Sequence, residues 1–368
     1  MKIGIDASRA FVKIRTGTEE YSYQFIKNLT KVDTSSHQIF LYVKNNSKID
    51  FELPKNFIIQ KICYNRLWTQ LGLSLEIKKN PIDVLFIPSH TIPIIHSKNT
   101  VVTIHGLEFK YHPESYSFKE RTLLKLNTFI AVKWSSKIIV PSESTKKDLI
   151  EFYKVDENKI KVVYHGVKSQ KPIKSKAYKV KNNNFNILFI GRLEKRKNLV
   201  NLIKAFELFK KHSPNPFCQR GDSNYKLILA GKEGFGFEEI KKAIYKSQYK
   251  SDIILKGYVS EREKEELYKN TNIFILPSFY EGFGLPILEA MSYGVPIVCS
   301  NASSLPEIAG DAALLIDSNN IQDISNAIEK IICDENLRNE MTKKGFENVE
   351  KFSWEKCVEE TLDTLLYR

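Results

Sequence analysis

Two short blocks hold the side chains best suited to act on a phosphorylated small molecule. The first, Gly191-Arg192-Leu193-Glu194-Lys195-Arg196-Lys197-Asn198, follows an apolar run from Asn186 to Ile190 and precedes an apolar-periodic stretch, so it reads as the turn between a strand and a helix. Gly191 lets the backbone turn closely, and Arg192 and Lys197 would present a planar fork and a point charge to a diphosphate. The same two cations would stabilise the negative charge that builds on a departing diphosphate. A solvated basic turn explains this block equally well.

The second block, Pro277 to Met291, reads PSFYEGFGLPILEAM and follows the strand-like Ile273 to Leu276. Gly282 and Gly284 mark a tight loop, and Pro286 suits the first turn of a helix, which would aim free backbone N–H groups and a positive dipole end at an anion. Glu281 stands just before that helix and Glu289 about one turn inside it, where both carboxylates can face one pocket and accept hydrogen bonds from vicinal hydroxyls. Service to the helix dipole accounts for one of them and leaves the loop around Glu281 unexplained.

The elements that must position these blocks are legible as alternation. Short Ile/Val-rich runs at Lys2–Ile5, Ile39–Val43, Val84–Ile87, Thr100–Ile104, Lys137–Val140 and Ile160–Val163 alternate with stretches of helical period. A second series follows at Asn186–Ile190, Tyr225–Ala230, Ile253–Lys256, Ile273–Leu276 and Pro296–Cys299. This is the pattern of α/β chains with parallel sheets, here two facing Rossmann-like, doubly wound domains. Open parallel sheets bind ligands at their carboxyl strand ends, so the chemistry belongs in an interdomain cleft lined by the turns after strands. The expected organisation is a first domain over 1–168, a basic linker over 169–184 and a second domain over 185–352. A final amphipathic helix over 353–368 is capped by Ser353 and packs back on the first domain. Ser213 to Asn224 reads as a surface insertion.

Composition narrows the function classes. At 368 residues and 42% hydrophobic, the chain suits two cores rather than one and is no disordered or disulfide-scaffold sequence. Five widely spaced cysteines without a C-x-x-C pair fit reduced, packed thiols. The start, MKIGIDAS, lacks the apolar region of a signal peptide, and no apolar run approaches the roughly 20 residues of a membrane span, so a cytoplasmic protein is expected. The net charge of +13 divides as +10 over residues 1–170 and +3 over the remainder. A basic field favours anionic partners. Nucleic acid ranks lowest among them, because no recognition motif accompanies the charge, and no P-loop occurs.

Taken together, Gly191-Arg192…Lys197-Asn198 and Glu281-Gly282-Phe283-Gly284-Leu285-Pro286…Glu289, with eight positions from one Glu to the other, resemble the C-terminal half of the retaining GT-B glycosyltransferases of family 4. Leu229-Ala230-Gly231 and Gly257-Tyr258-Val259-Ser260 are similar to that family in matching order. So are Val102-Thr103-Ile104-His105-Gly106, Val140-Pro141-Ser142-Glu143-Ser144 and Tyr164-His165-Gly166-Val167 in the front half. The resemblance covers nearly the whole chain and implies roles residue by residue. Arg192 and Lys197, on the Gly191 turn, would bind the donor diphosphate, and Glu289 the ribose hydroxyls. Glu281 would hold the transferred sugar, beside Gly282, Phe283 and the backbone of Gly284 and Leu285. His105 would line the cleft near sugar and acceptor, although a lone histidine is more often structural. Gly17 resembles the glycine of the loop that approaches the diphosphate, where many relatives have two glycines and this chain has one.

The chemistry so implied is transfer of a hexose from a nucleotide sugar to a saccharide hydroxyl with retention at the anomeric carbon. The acceptor proton would pass to the departing phosphate oxygen on the same face. No Asp-x-Asp occurs, so no metal or other cofactor is expected; the cations and a helix end would replace it. The front half, with Trp68-Thr69-Gln70 and the His105 block, is similar to bacterial mannosyltransferases of surface-polysaccharide assembly, which implies GDP-mannose as donor. Arg66 and Trp68, Lys78 and Lys79, and the stretch from Lys119 to Trp134 mix cations with aromatics, as would a surface docking on an anionic inner leaflet beside a lipid-linked saccharide. Ordinary solvated helix faces are the plainer explanation. The rival enzyme is a nucleotide-sugar epimerase of similar fold, which would need cleft acids and bases at the sugar ring. A non-catalytic sugar-nucleotide sensor is the rival from outside enzymology.

Overall fold

The computed structural model describes residues 1–13, 15–64, 66–168, 184–212 and 224–366. The expected linker, apart from Asn184, and the expected insertion, apart from Asn224, lie outside the described residues. Thirteen strands are described: β1 (Lys2–Asp6), β2 (Gln38–Lys44), β3 (Phe57–Ile62), β4 (Val84–Ile87), β5 (Asn99–Thr103), β6 (Lys137–Val140), β7 (Ile160–Val162), β8 (Asn184–Ile190), β9 (Asn224–Ala230), β10 (Ile253–Gly257), β11 (Ile273–Leu276), β12 (Ile297–Ser300) and β13 (Ala313–Ile316). The helices between them are α1 (Gly17–Leu29), α2 (Ser74–Lys79), α3 (Glu108–Tyr111), α4 (Phe118–Trp134), α5 (Glu143–Tyr153), α6 (Leu199–His212), α7 (Phe237–Lys246), α8 (Glu261–Lys269), α9 (Leu285–Ser292), α10 (Leu305–Ala309), α11 (Ile321–Cys333), α12 (Glu335–Val349) and α13 (Trp354–Leu366).

The strands form two wholly parallel sheets, ordered β3-β2-β1-β4-β5-β6-β7 and β10-β9-β8-β11-β12-β13. Both orders reverse direction once, between β1 and β4 and between β8 and β11. Each sheet is therefore doubly wound, and each has a switch point where the loops leaving two adjacent strands diverge. Central strands such as β4, β11 and β12 are buried along their whole length, which explains why their sequences are unbroken apolar runs. Two edge strands, β3 and β13, fall outside the expected list. β3 exposes Ile58 and Ile59, and its pattern matches neither a continuous buried run nor strict alternation.

The chain divides into two compact units: residues 1–109, 117–166 and 352–368 in one, residues 110–116 and 167–351 in the other. The short stretch 110–116 thus departs from the expected first domain. Within the second unit, Tyr111 stacks on Tyr280 with centroids 4.8 Å apart and His112 on Phe279 at 5.6 Å. In the first unit, α13 enters the core, where Trp354, Val358, Leu362 and Leu365 pack with Tyr21, Phe25 and Phe86. Gly166 makes this possible, since a Cβ there would lie 2.1 Å from the Trp354 nitrogen. Of the cysteines, Cys63, Cys299 and Cys357 are free thiols. Cys333 is disulfide-bonded, against the expectation of reduced thiols throughout.

Candidate functional site

The second unit assembles its polar cluster at the β8/β11 switch point. The turn after β8 is zipped onto the loop after β9: Leu193 N–H donates to the Lys232 carbonyl (2.7 Å) and Lys195 N–H to the Phe235 carbonyl (2.8 Å). Gly231, at φ +144°, is obligatory, because a Cβ would sit 1.7 Å from the Gly191 carbonyl oxygen. Asn198 closes the turn in the left-handed region, and its amide donates to the Ser318 carbonyl at 2.6 Å. The loop after β11 is joined directly to this turn by Phe279 N–H donating to the Arg196 carbonyl at 3.0 Å.

These supports bring Lys197 and Glu281 together although 84 positions separate them. Lys197 Nζ donates to Glu281 Oε1. Arg196 approaches the same carboxylate through Oε2 at 3.3 Å, donates to the Tyr280 carbonyl, and pairs with Glu194 Oε1 at 2.7 Å. The buried Lys197 and the partly buried Arg196 thus share two buried carboxylates. Burial alone would raise the Glu281 pKa, but Lys197 and Arg196 outweigh it and bring the carboxyl down to about 2. For Lys197, burial and the neighbouring Arg196 weaken its hold on its proton, and Glu281 and Glu194 only partly offset them. The carboxylate is ionised throughout the neutral range.

The backbone around Glu281 is fixed by the loop after β12. Glu281 N–H donates to Ser303 Oγ (2.8 Å), and Ser304 Oγ lies 2.9 Å from both the Glu281 and Phe283 carbonyls. Ser303 sits at φ +54°, an uncommon conformation for a residue with a side chain. Gly282 and the buried Phe283 lead to Gly284, which caps α9 at φ +105°. A Cβ on Gly284 would approach Leu305 Cδ2 to 2.7 Å. Leu285 and Pro286 open the helix.

Glu289 is not part of that cluster. It lies on α9 and is held from α8, with Lys264 Nζ at 2.7 Å from Oε1 and the Tyr268 hydroxyl at 2.9 Å from Oε2. Lys264 and Tyr268 are one helical turn apart, so one face of α8 supplies both donors. Arg192 also stands apart: its side chain is 59% exposed, and its Nε is 4.0 Å from Glu194. Sequence reasoning missed Arg196, Lys264, Tyr268, Ser303 and Ser304. Adjacency to Lys197 could have flagged Arg196; the others carry no local signal.

The remaining expected residues lie in the first unit. Gly17 is the first residue of α1, with open space where a Cβ would stand. His105, just beyond β5, places Nε2 3.0 Å from the Pro88 carbonyl in the loop after β4. A carbonyl only accepts, so Nε2 carries the proton and Nδ1 is the lone-pair nitrogen of a neutral ring. Burial is the main reason its pKa is lowered. The ring meets Tyr21 edge-on at 4.9 Å and His165 at 5.4 Å.

Residues 170–348 match the model for glycosyl transferases group 1, and residues 15–171 that for glycosyltransferase family 4. An O-antigen chain mannosyltransferase B of Escherichia coli is 40% identical over 176 residues, which is 48% of this chain and 44% of that protein. The chain therefore spans less than half the length of that relative. An uncharacterized glycosyltransferase, MJ1178 of Methanocaldococcus jannaschii, is 30% identical across 83% of both chains. Among solved structures, Anabaena HepE in complex with UDP and glucose superposes with a TM-score of 0.72 over 100% of this chain and 99% of that one, at 17% identity. The chain belongs to the family 4, group 1 glycosyltransferases and has their GT-B fold.

Proposed function

We propose that the protein moves mannose from GDP-mannose to a hydroxyl of a lipid-linked saccharide, with retention and without a metal, in the assembly of a surface polysaccharide. The observation that carries the transferase part is the Lys197–Glu281–Arg196 cluster at a sheet switch point beside the start of α9. Lys197 and the exposed Arg192 take the diphosphate. Glu281 accepts hydrogen bonds from the sugar hydroxyls, and Glu289, oriented by Lys264 and Tyr268, accepts them from the ribose. The bond from the anomeric carbon to the phosphate oxygen breaks while the acceptor oxygen bonds to that carbon on the same face. The acceptor proton leaves on the phosphate oxygen, giving a nucleoside diphosphate and a glycoside.

The electrostatics support positioning over covalent catalysis. A carboxylate with a pKa near 2, tied to two cations, is a weak nucleophile and a poor base, which disfavours double displacement. Lys197, Arg192 and the α9 N-terminus supply the positive charge that a metal would otherwise bring to the leaving group. The name of the E. coli relative, an O-antigen chain mannosyltransferase, supports the mannosyl and surface-polysaccharide reading.

The test is a donor panel in EDTA: GDP-mannose, UDP-glucose, UDP-galactose and UDP-N-acetylglucosamine, read by thermal shift and nucleotide release. GDP-mannose should raise the melting temperature of the wild type but not of Glu289→Ala, and should be cleaved slowly. Stabilisation by a UDP-sugar alone replaces the donor. Epimerisation of the bound sugar, or no binding at all, overturns the transferase reading.

A further inference from the structure

We propose that Tyr111 and His112 are positioning residues for Glu281. This inference deepens the reading of Glu281 as the carboxylate that holds the transferred sugar, and rests on it. The stretch 110–116 belongs to the second unit, while the chain on either side of it belongs to the first. On one side Phe109 is buried, and on the other Ser117 caps α4 by accepting from the Glu120 backbone N–H. Between those two anchors the chain leaves its own unit. Ordering such an excursion costs conformational entropy, which contacts along it must offset.

Those contacts form a two-rung aromatic ladder. The Tyr111 ring lies 4.8 Å from Tyr280 with planes 23° apart, and the His112 ring 5.6 Å from Phe279 at 28°. Consecutive residues thus meet consecutive residues in opposite chain order, and each stacked pair contributes beyond the area it buries. His112 is itself oriented. Its Nδ1 is 3.2 Å from Glu114 Oε1, and an ionised carboxylate only accepts, so Nδ1 carries the proton. The turn over Pro113–Ser115 returns Glu114 to the ring, with Ser115 N–H donating to the His112 carbonyl at 3.0 Å. Glu114 also lies in the field of Lys195, in the turn after β8.

The ladder grips the run Phe279-Tyr280-Glu281. Hydrogen bonds fix the backbone of that run: Phe279 N–H donates to the Arg196 carbonyl, the Tyr280 carbonyl accepts from the Arg196 side chain, and Glu281 N–H donates to Ser303 Oγ. Stacking fixes the two side chains that precede the carboxylate. Tyr280 is 3% exposed beneath a Tyr111 that is 44% exposed. A rotation of Tyr280 or Phe279 would carry Glu281 with it, and displacements of about 1 Å at a reacting centre cost roughly a hundredfold in rate. The connection that carries the ladder leaves β5 through His105 and passes along α3. One connection therefore supplies both the imidazole expected beside the sugar and the support of the carboxylate expected to hold it.

Amide hydrogen exchange and the kinetics of GDP-mannose cleavage test this together. Tyr111→Ala and His112→Ala should each speed exchange of the Phe279 and Glu281 amides about fivefold, with the amides of β8 and β9 unchanged. The kcat of cleavage should fall by about the same factor. GDP, which has no sugar for Glu281 to hold, should bind with the wild-type Kd by calorimetry. Tyr111→Phe and His112→Phe keep the rings and should restore both exchange and kcat. Beside Glu281→Gln, Tyr111→Ala should lower kcat by less than about twofold further, because the carboxylate it positions is gone.

Unchanged exchange at Phe279 and Glu281 overturns the proposal and leaves the transferase reading standing. Faster exchange with an unchanged kcat, or a loss of kcat that persists in full beside Glu281→Gln, makes the ladder a structural contact and also overturns it. Failure of the wild type to cleave any sugar nucleotide overturns the transferase reading and, with it, the role assigned to the ladder.

Discussion

Replacing Glu281 with Gln removes one charge and leaves the shape. The Glu281 carboxyl falls from its ordinary 4.5 to about 2 in the folded protein. At about 1.4 kcal/mol per pH unit this corresponds to ~3 kcal/mol of stabilisation at pH 7. Because the folded-state pKa is the lower one, that stabilisation is full above about pH 4.5 and is lost as the pH falls toward 2. Glu281→Gln should therefore lower the stability of the second unit by ~3 kcal/mol at neutral pH, or its melting temperature by roughly 6–12 °C for a unit of this size. The gap should narrow steadily toward pH 3. Much of the loss is the buried Lys197 and the partly buried Arg196 left with Glu194 as their remaining carboxylate, so Lys197→Met added to Glu281→Gln should recover about half of it. Calorimetry of the wild type, both single variants and the double variant, at pH 7 and pH 3.5, measures every quantity in this chain of reasoning. A deficit below about 1 kcal/mol at pH 7, or one that widens in acid, would refute the ion-cluster account.

Arg196→Gln should reduce kcat about a hundredfold while moving the donor KM far less, since it holds Glu281 and the Tyr280 carbonyl in place. Arg196→Lys, which lacks the fork, should not restore it. Tyr268→Phe removes a hydrogen bond to a carboxylate and should weaken nucleotide-sugar binding roughly tenfold, with inorganic pyrophosphate binding unchanged by calorimetry. Gly231→Ala should cost more than about 3 kcal/mol in thermal denaturation, because its Cβ meets backbone. Acid should unfold the first unit early. Burial lowers the pKa of His105 and His165 and brings His90 to about 4, with Arg9 and His105 adding to the effect. The unfolded chain then binds more protons, and stability falls as the pH drops below 6.5, by about 3 kcal/mol from His90 alone once below pH 4. Near-ultraviolet circular dichroism between pH 7 and 4 follows this, and His90→Gln should flatten the dependence.

Central strands were legible because burial on both faces leaves a continuous apolar run, as in Ile273-Phe274-Ile275-Leu276. Edge strands β3 and β13 were not, because their exposed positions dilute that signal. The turn after β8 and the glycine loop after β11 were readable for a related reason: tight turns and helix starts demand Gly, Asn and Pro at fixed offsets. Local spacing could also mark Lys197, Glu281 and Glu289 as polar residues in those turns.

What each side chain meets was decided by strand order. Placing β11 beside β8 sets Glu281 against Lys197 and Arg196, and no local pattern encodes a neighbour 84 positions away. Helix α8 likewise brings Lys264 and Tyr268 to Glu289, partners that no spacing along α9 announces. Tryptophans that look alike in sequence part in the same way, Trp68 into the core and Trp134 onto the surface. By itself, the amino-acid sequence determined the alternation of strands and helices, the family, and the turns where chemistry belongs, because backbone geometry restricts residues locally. Only the tertiary structure decided which charges are buried together, how far their proton affinities move, and which apolar residues of α4 remain outside. Those depend on distance and dielectric, which long-range packing creates.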